Sequence, residues 1–348
     1  MKIKCKELLD ILDRLSPVAK AIKIREHIPA ILLHDNQLIA QSEDCYISIM
    51  LDHDFDNIVI PFDKSYELLS RISPKKKISL TQEDNKIKVI ASIGRKKTSA
   101  TIAALAEVGD EINYIDPVDS KWLPLPHDFI DAIKFCKFSL PRESLNPVLM
   151  NYGINKDVVI TSDDFRISHY TLDNTFEQNL VISAASGDII VANQFDEYIP
   201  KKKYIDFRKD EIWTRVTLAT IDYPVISAKM FNYNNFFSVK KATLIKALDR
   251  AAIFAEGESE LDYVVNLHIG YEPKPKFTIY AKNDFGKINE AGLLEASNIE
   301  KDLSVNPVYL LQILKNIKEN TIQIGVDEFD RLIFNEGPYS HILATYKK

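Results

Sequence analysis

Residues Leu244–Ile253 read "LIKALDRAAI", an amphipathic stretch with its apolar residues on one helical stripe. Near the N-terminus, Glu7–Ser16 reads "ELLDILDRLS" and repeats both the stripe and the Leu-Asp-Arg triplet. Two helices written alike at opposite ends of a chain raise the question of an internal repeat. Working outward from each helix gives the same succession of elements. After the first comes "IPAILLHDNQLIAQSEDCYISIML", short apolar runs broken by Asp-Asn and Ser-Glu-Asp, which reads as consecutive strands. "IVIPFDKSYELLSRISP" then leads a strand into a second helix that Pro74 closes, and three more strands follow.

The order restarts at "LPLPHDFIDAIKFCKFSL", with Phe129, Ile130, Ile133, Phe135 and Cys136 as the helical stripe. There "LVISAASGDIIVANQF" takes the place of the strand and second helix. It restarts again before Leu244, and "LSVNPVYLLQILKNIKEN" is the second helix of that copy. Three copies therefore begin near residues 1, 122 and 236. A period of roughly 115–120 residues is too long for a solenoid unit and reads as triplication of a domain.

Composition bounds the class. At 348 residues the chain exceeds one ordinary core, and 46% hydrophobic with 27% charged residues is a globular balance. No run approaches the roughly 18 apolar residues of a membrane span, and the N-terminus lacks a signal-peptide core, so a cytoplasmic location is expected. Cys5, Cys45 and Cys136 are scattered and read as reduced core thiols. The net charge of −6 does not advertise nucleic-acid binding, but Lys and Arg can still be segregated on one surface.

Four stretches in this order carry a family resemblance: "IPAILL" at Ile28–Leu33, "SDDFRISHY" at Ser162–Tyr170, "DRAAIF" at Asp249–Phe254 and "SVNPVYLLQILKNI" at Ser304–Ile317. On them the chain resembles the bacterial DNA polymerase III beta subunit, the sliding clamp, over essentially its whole length, as a divergent member. Typical clamps have Thr-Asp-Gly-His-Arg-Leu where this chain has Ser162 to Ile167, and Arg-Ala-Ala-Ile-Leu where it has Arg250 to Phe254. The resemblance implies an α+β fold of three tandem clamp domains, residues 1–120, 121–235 and 236–348. Each has two helices plus antiparallel sheets, and the arc-shaped monomer closes head to tail with a second copy into a ring. Such a contact between unlike ends closes when two copies complete the rotation. The implied function is that of a non-catalytic processivity factor. Its implied partners are duplex DNA held without regard to sequence, DNA polymerase, the clamp loader and other clamp-motif proteins, with the nucleoid as its place of work during replication. No catalytic residue, metal or cofactor is implied.

A sliding ring needs dispersed positive charge that grips no phosphate tightly. The candidates are Lys20, Lys23 and Arg25 after the first helix, Arg71 in the second, Lys134, Lys137 and Arg142 in the middle copy, and Lys240, Lys241 and Lys246 in the third. Arg25 and Arg142 align with family positions that approach DNA, whereas the family's paired aromatics after Arg142 are here Pro147 and Val148. Mapped residue by residue, the family's peptide cleft would comprise Leu149, Ser162, Phe165, Arg166, Ile167, Pro224, Ile342 and Tyr346. Aliphatic walls with one Arg at the rim suit an anchor peptide. Here the chain departs from the family, with Asp164-Phe165 for Gly-His and "ATYKK" for the Met-Pro-Met-Arg-Leu-like tail. Ile253 and Phe254 match the apolar centre of the family's dimer contact. The partner strand is expected near "TSATIAALAEV", although the family's Phe-Pro pattern is missing there.

Enzyme readings find little support. No P-loop, HExxH or GxSxG occurs, and only 10 glycines leave few phosphate-cradling loops. "LDHDFD", with Asp52, His53, Asp54 and Asp56, reads better as polar residues leaving a strand than as a metal site. Ser162-Asp163-Asp164 reads as an Asx-type turn between strands. The alternative function is a clamp-fold interaction scaffold, accessory or mobile-element-encoded, with altered partners or weak ring closure.

Overall fold

In the computed structural model, which describes residues 1–21, 28–55, 57–93, 96–105, 115, 120–259, 262–271 and 273–347, one order of elements recurs three times, with one extra two-residue strand in the third run. The first run holds β1 (Lys2–Lys4), α1 (Cys5–Ala19), β2 (Ala30–His34), β3 (Gln37–Gln41), β4 (Cys45–Met50), β5 (Ile58–Pro61), α2 (Phe62–Ser70), β6 (Lys77–Gln82), β7 (Lys86–Ile93) and β8 (Lys96–Ala103). The second holds β9 (Leu123–Pro124), α3 (Phe129–Cys136), β10 (Asn151–Asn155), β11 (Val158–Ser162), β12 (Arg166–Thr171), β13 (Leu180–Ser183), α4 (Ala184–Asn193), β14 (Glu197–Pro200), β15 (Tyr204–Lys209) and β16 (Ile212–Thr217). The third holds β17 (Asn235–Lys240), α5 (Lys241–Ala251), β18 (Val265–Gly270), β19 (Lys276–Asn283), β20 (Gly286–Leu293), β21 (Ala296–Ser297), β22 (Lys301–Val305), α6 (Pro307–Asn316), β23 (Thr321–Val326), β24 (Leu332–Glu336) and β25 (Tyr339–Leu343). This is a mixed fold of helices and antiparallel sheets.

The chain condenses into two compact units, Met1–Ile130 with Leu180–Ile221, and Asp131–Asn179 with Asp222–Lys348. They cut across the element repeat, and the strand ladders give the reason. In the first unit the order β5-β2-β3-β4-β16-β15-β14-β9 makes one continuous sheet. Its β4–β16 ladder, Cys45↔Val216 to Ile49↔Ile212, joins the first run to the second. In the second unit the order is β10-β11-β12-β25-β24-β23-β17-β21. Its β12–β25 ladder, Arg166↔Leu343 to Tyr170↔Tyr339, joins the second run to the third. Backbone hydrogen bonds satisfied across a junction hold it as firmly as those inside a run. Each unit also has a four-stranded sheet, β1-β6-β7-β8 and β20-β19-β18-β22 respectively.

The opening stretch lies in α5, whose Leu244, Ala247, Leu248 and Ala251 are buried. They pack with Leu310, Ile313 and Leu314 of α6 and with Phe237, Val239, Leu267 and Phe334 in one apolar core. Each fully buried leucine contributes about 1.5–3 kcal/mol. The start of α6 is written locally: Pro307 opens it, and Asn306 Oδ1 accepts from the backbone N–H groups of Val308 at 2.9 Å and Tyr309 at 3.1 Å. The Leu-Asp-Arg echo has a structural counterpart. Asp13 accepts from the Tyr66 hydroxyl of α2 at 2.7 Å, and Asp249 pairs with Lys315 of α6 at 3.7 Å. In both runs the aspartate fastens the first helix to the second.

Candidate functional site

The turn between β11 and β12 organises the second unit. Asp163 Oδ1 accepts from the N–H groups of Phe165 at 3.2 Å and Arg166 at 2.7 Å, as an Asx turn should, and Asp164 takes a left-handed φ of 72°. The other carboxylate oxygen receives the Arg166 guanidinium through Nε at 2.8 Å and Nη2 at 2.5 Å. That guanidinium also donates to Gln312 of α6 and stacks 4.0 Å from the Tyr309 ring centre and 5.5 Å from that of Phe138. Arg166 is only 6% exposed. Its charge is spent inside the protein, on tying the turn to α6. Sequence reasoning did not find Tyr309 and Gln312. The Asn-Pro capping signature carries the signal, because it fixes the helix start and sets these two residues, three apart, on one face.

Side chains alternate along β12, so the strand divides the sequence-derived cleft between two faces. On one, Ser168 Oγ lies 2.5 Å from Ser139 Oγ and 3.1 Å from His341 Nδ1. The His341 ring packs on Phe135 at 4.3 Å and Phe138 at 4.8 Å, and its Nε2 is unpaired among the described residues. Burial, helped by the nearby Arg166 charge, pushes its pKa down to about 3. On the other face, Ile167 sits opposite Ile342. They join Phe231 and Ile333 in a small apolar cluster that Ile226, Met230 and Tyr233 half cover. Pro224 and Val225, just before Ile226, are exposed. His169 packs on Phe231 at 4.9 Å, and burial lowers its pKa as well.

The structure thus brings Ile167 and Ile342 together on one face. Phe165 and Arg166 line a cavity of about 1220 Å³ beside α6. Tyr346 stands 6.3 Å from the Phe165 ring, and its N–H donates to Ser304 at 2.8 Å. Leu149 is buried in the one-turn helix Pro147–Met150 before β10, and Ser162 ends β11 half-buried.

Of the eight described candidate cations, four stand beside carboxylates. Lys20 lies 4.0 Å from Asp63 and over the rings of Phe62 and Tyr66, at 5.3 and 5.6 Å. Arg71 pairs with Glu67 at 2.6 Å, Lys134 with Asp131 at 3.6 Å and Lys240 with Glu295 at 3.6 Å. Lys241 donates to the Ile317 carbonyl at 2.5 Å. Lys246 is exposed on α5, and Lys137 and Arg142 are exposed at the cavity. Lys23 and Arg25 lie outside the described residues. Of the imagined metal group, His53 Nε2 meets the Gln37 carbonyl at 3.1 Å and Asp54 pairs with the N-terminal ammonium at 3.2 Å. Asp56 lies outside the described residues.

Two eight-residue strands end their sheets, β8 in the first unit and β20 in the second. Beside β20, Phe285 is 95% exposed and Ile253 68% exposed. Phe254 is half-buried on the core, so close to Gly286 that a Cβ there would come within 2.8 Å of its ring. Arg250, from the opening stretch, clasps Glu290 of β20, its Nε 2.8 Å from Oε2. Of the "TSATIAALAEV" stretch, Thr98–Ala103 belongs to β8, and residues 106–108 lie outside the described residues.

No protein-family sequence model matches the chain, and no characterised protein matches it significantly in sequence. Solved structures do. The beta subunit of DNA polymerase III from Thermotoga maritima is 15% identical, with a TM-score of 0.81 over 100% of this chain and 99% of that one. The DNA polymerase beta subunit of Streptococcus pyogenes is 17% identical, with a TM-score of 0.78 over the same shares. The sliding clamp of Pseudomonas aeruginosa bound to griselimycin is 14% identical, with a TM-score of 0.79, again over 100% and 99%. The chain has the sliding-clamp fold from end to end. Among the described residues, no helix is long and apolar enough to cross a membrane.

Proposed function

We propose that the chain is a DNA sliding clamp, a non-catalytic processivity factor that closes around duplex DNA as a head-to-tail pair of copies. The observation that carries this reading is the match to clamp structures over the full length of both chains. The element order recurring three times supports a division into three clamp domains, near residues 1–120, 121–235 and 236–348. Two long strands that end their sheets among the described residues, β8 and β20, support closure: the β20 edge of one copy would pair with the β8 edge of the other, with Ile253 and Phe285 as apolar anchors. The cluster around Ile167 and Ile342, half covered by Ile226, Met230 and Tyr233, suits the hydrophobic anchor of a polymerase or loader peptide.

The pairing of Lys20, Arg71, Lys134 and Lys240 with carboxylates favours a weak grip on phosphate. That suits sliding, and it is also the observation in favour of the second reading, a clamp-fold scaffold that never holds DNA. One experiment separates them. A clamp loaded on nicked circular DNA stays bound and is released when the circle is linearised, and mass photometry at micromolar concentration finds a dimer. Monomer alone, or loss from circular and linear DNA alike, would leave the scaffold.

A further inference from the structure

The cavity in the second unit is larger than an anchor residue needs, and its lining is mixed in a particular way. Phe165 is 42% exposed, with the rings of Tyr309 and Tyr346 centred 6.0 and 6.3 Å away. Four cations, Lys134, Lys137, Arg142 and Arg166, share the wall with Glu143, Asp163 and Asp164. Asp163 is consumed by Arg166. Lys134 has a loose, exposed partner in Asp131. The cations beyond Arg166 come from α3 and the segment after it, and Asn146 and Asn316 add amide groups able to meet a polar edge. An exposed flat ring, exposed cations and amides around one concavity make a combination that binds a base by stacking and its phosphate by charge.

We propose that this cavity takes an unpaired nucleotide, its base stacked on Phe165 and its phosphate beside Lys137 and Arg142. Duplex DNA cannot use the ring, because its base faces are already stacked on one another. The ligand is therefore an unpaired strand or a free nucleotide. The site lies wholly in the second unit, so it does not depend on ring closure.

The test uses the full chain carrying Phe165→Trp, whose emission reports stacking; the native Trp122 and Trp213 both lie in the first unit. A short oligo-dT quenches the new tryptophan. By anisotropy with labelled oligo-dT, Phe165→Ala weakens binding roughly tenfold. Lys137→Ala and Arg142→Ala each flatten the dependence of log affinity on log salt by about 0.7. A dTTP arm identifies the source: equal affinity for dTTP and oligo-dT marks a free-nucleotide site, and tighter oligo-dT binding marks a strand. The proposal is overturned if Phe165→Ala leaves oligo-dT binding unchanged, if blunt duplex competes as well as oligo-dT, or if polyglutamate alone binds through Phe165. Loss of retention on nicked circles, with oligo-dT binding intact, would remove the clamp reading and leave this one standing.

Discussion

Each unit folds one arginine onto a buried aspartate and an aromatic ring, and the two differ in how far apart in the chain their partners lie. In the first unit Arg215 forks onto Asp206 with two contacts of 2.8 Å and stacks 4.0 Å from the centre of the Tyr204 ring. In the second, Arg166 forks onto Asp163 and stacks 4.0 Å from the centre of the Tyr309 ring. Arg215 and Asp206 face each other across the β15–β16 ladder and serve one sheet. Arg166 takes its carboxylate from three residues back in its own turn, and its ring and amide partners from α6, nearly 150 residues on. The first pair staples neighbours. The second couples a turn at the cavity to a helix of another run, so a change there is felt at a site as well as in the fold.

Removing either arginine strands a buried carboxylate, and the largest expected effect is a loss of about 3–5 kcal/mol for Arg215→Ala or Arg166→Ala in urea unfolding. The contrast lies in the second readout. Arg166→Ala weakens oligo-dT binding as well, because its side chain lines the cavity with Phe165, whereas Arg215→Ala leaves it unchanged. Equal effects of both variants on oligo-dT binding would reduce the comparison to stability alone.

The next effect in size is one of pH, and it belongs to the second unit's pair. His341, held neutral beside Arg166, has a folded pKa of about 3 against about 6.5 when unfolded. The unfolded chain therefore takes up the proton first as pH falls. The stability His341 contributes is complete above about pH 6.5 and is lost on the way down to about pH 3, by at most about 1.4 kcal/mol per pH unit. His169, with its pKa also lowered by burial, acts in the same direction. His341→Phe, similar in size and without the proton, should flatten the dependence of urea midpoints on pH between 4 and 6. An unchanged slope would place the acid sensitivity elsewhere.

Much of this was legible in the chain. The stripe at Leu244–Ala251, the Asn306-Pro307 cap and the Leu-Asp-Arg echo are local signals, and the structure uses each where the sequence puts it. The three-fold order of elements could be read for the same reason. The ladders β4–β16 and β12–β25 could not, because strand pairing across runs leaves no local mark, and they make two compact units out of three similar runs. The cleft was legible only as a set of residue types. Ile167 and Arg166 are adjacent in sequence, and β-strand alternation sends them to opposite faces. Phe138 and Tyr309 become neighbours of Arg166 only through tertiary packing.

A smaller effect divides the two faces of β12. Ile167→Ala empties part of the cluster with Ile342 and Ile333, lowers peptide affinity roughly tenfold for about 1.4 kcal/mol of lost contact, and leaves oligo-dT binding at Phe165 intact. Phe165→Ala does the reverse. If either variant weakened both ligands equally, the strand would carry one site and not two.

The smallest effect concerns the surface cations, where both units agree. Arg71 and Glu67 are exposed, four residues apart on one helix, and such a pair stabilises by less than about 0.5 kcal/mol. Glu67→Gln should therefore barely move the unfolding midpoint. It should still free the Arg71 charge for phosphate, since the carboxylate now competes with DNA for that guanidinium. On the clamp reading, duplex affinity rises slightly, and sliding measured by single-molecule tracking slows in step with it. A variant that binds duplex no better would mean that Arg71 never faces the phosphates, and that the dispersed charge of this chain lies on other helices, with exposed Lys246 of α5 as the first to test.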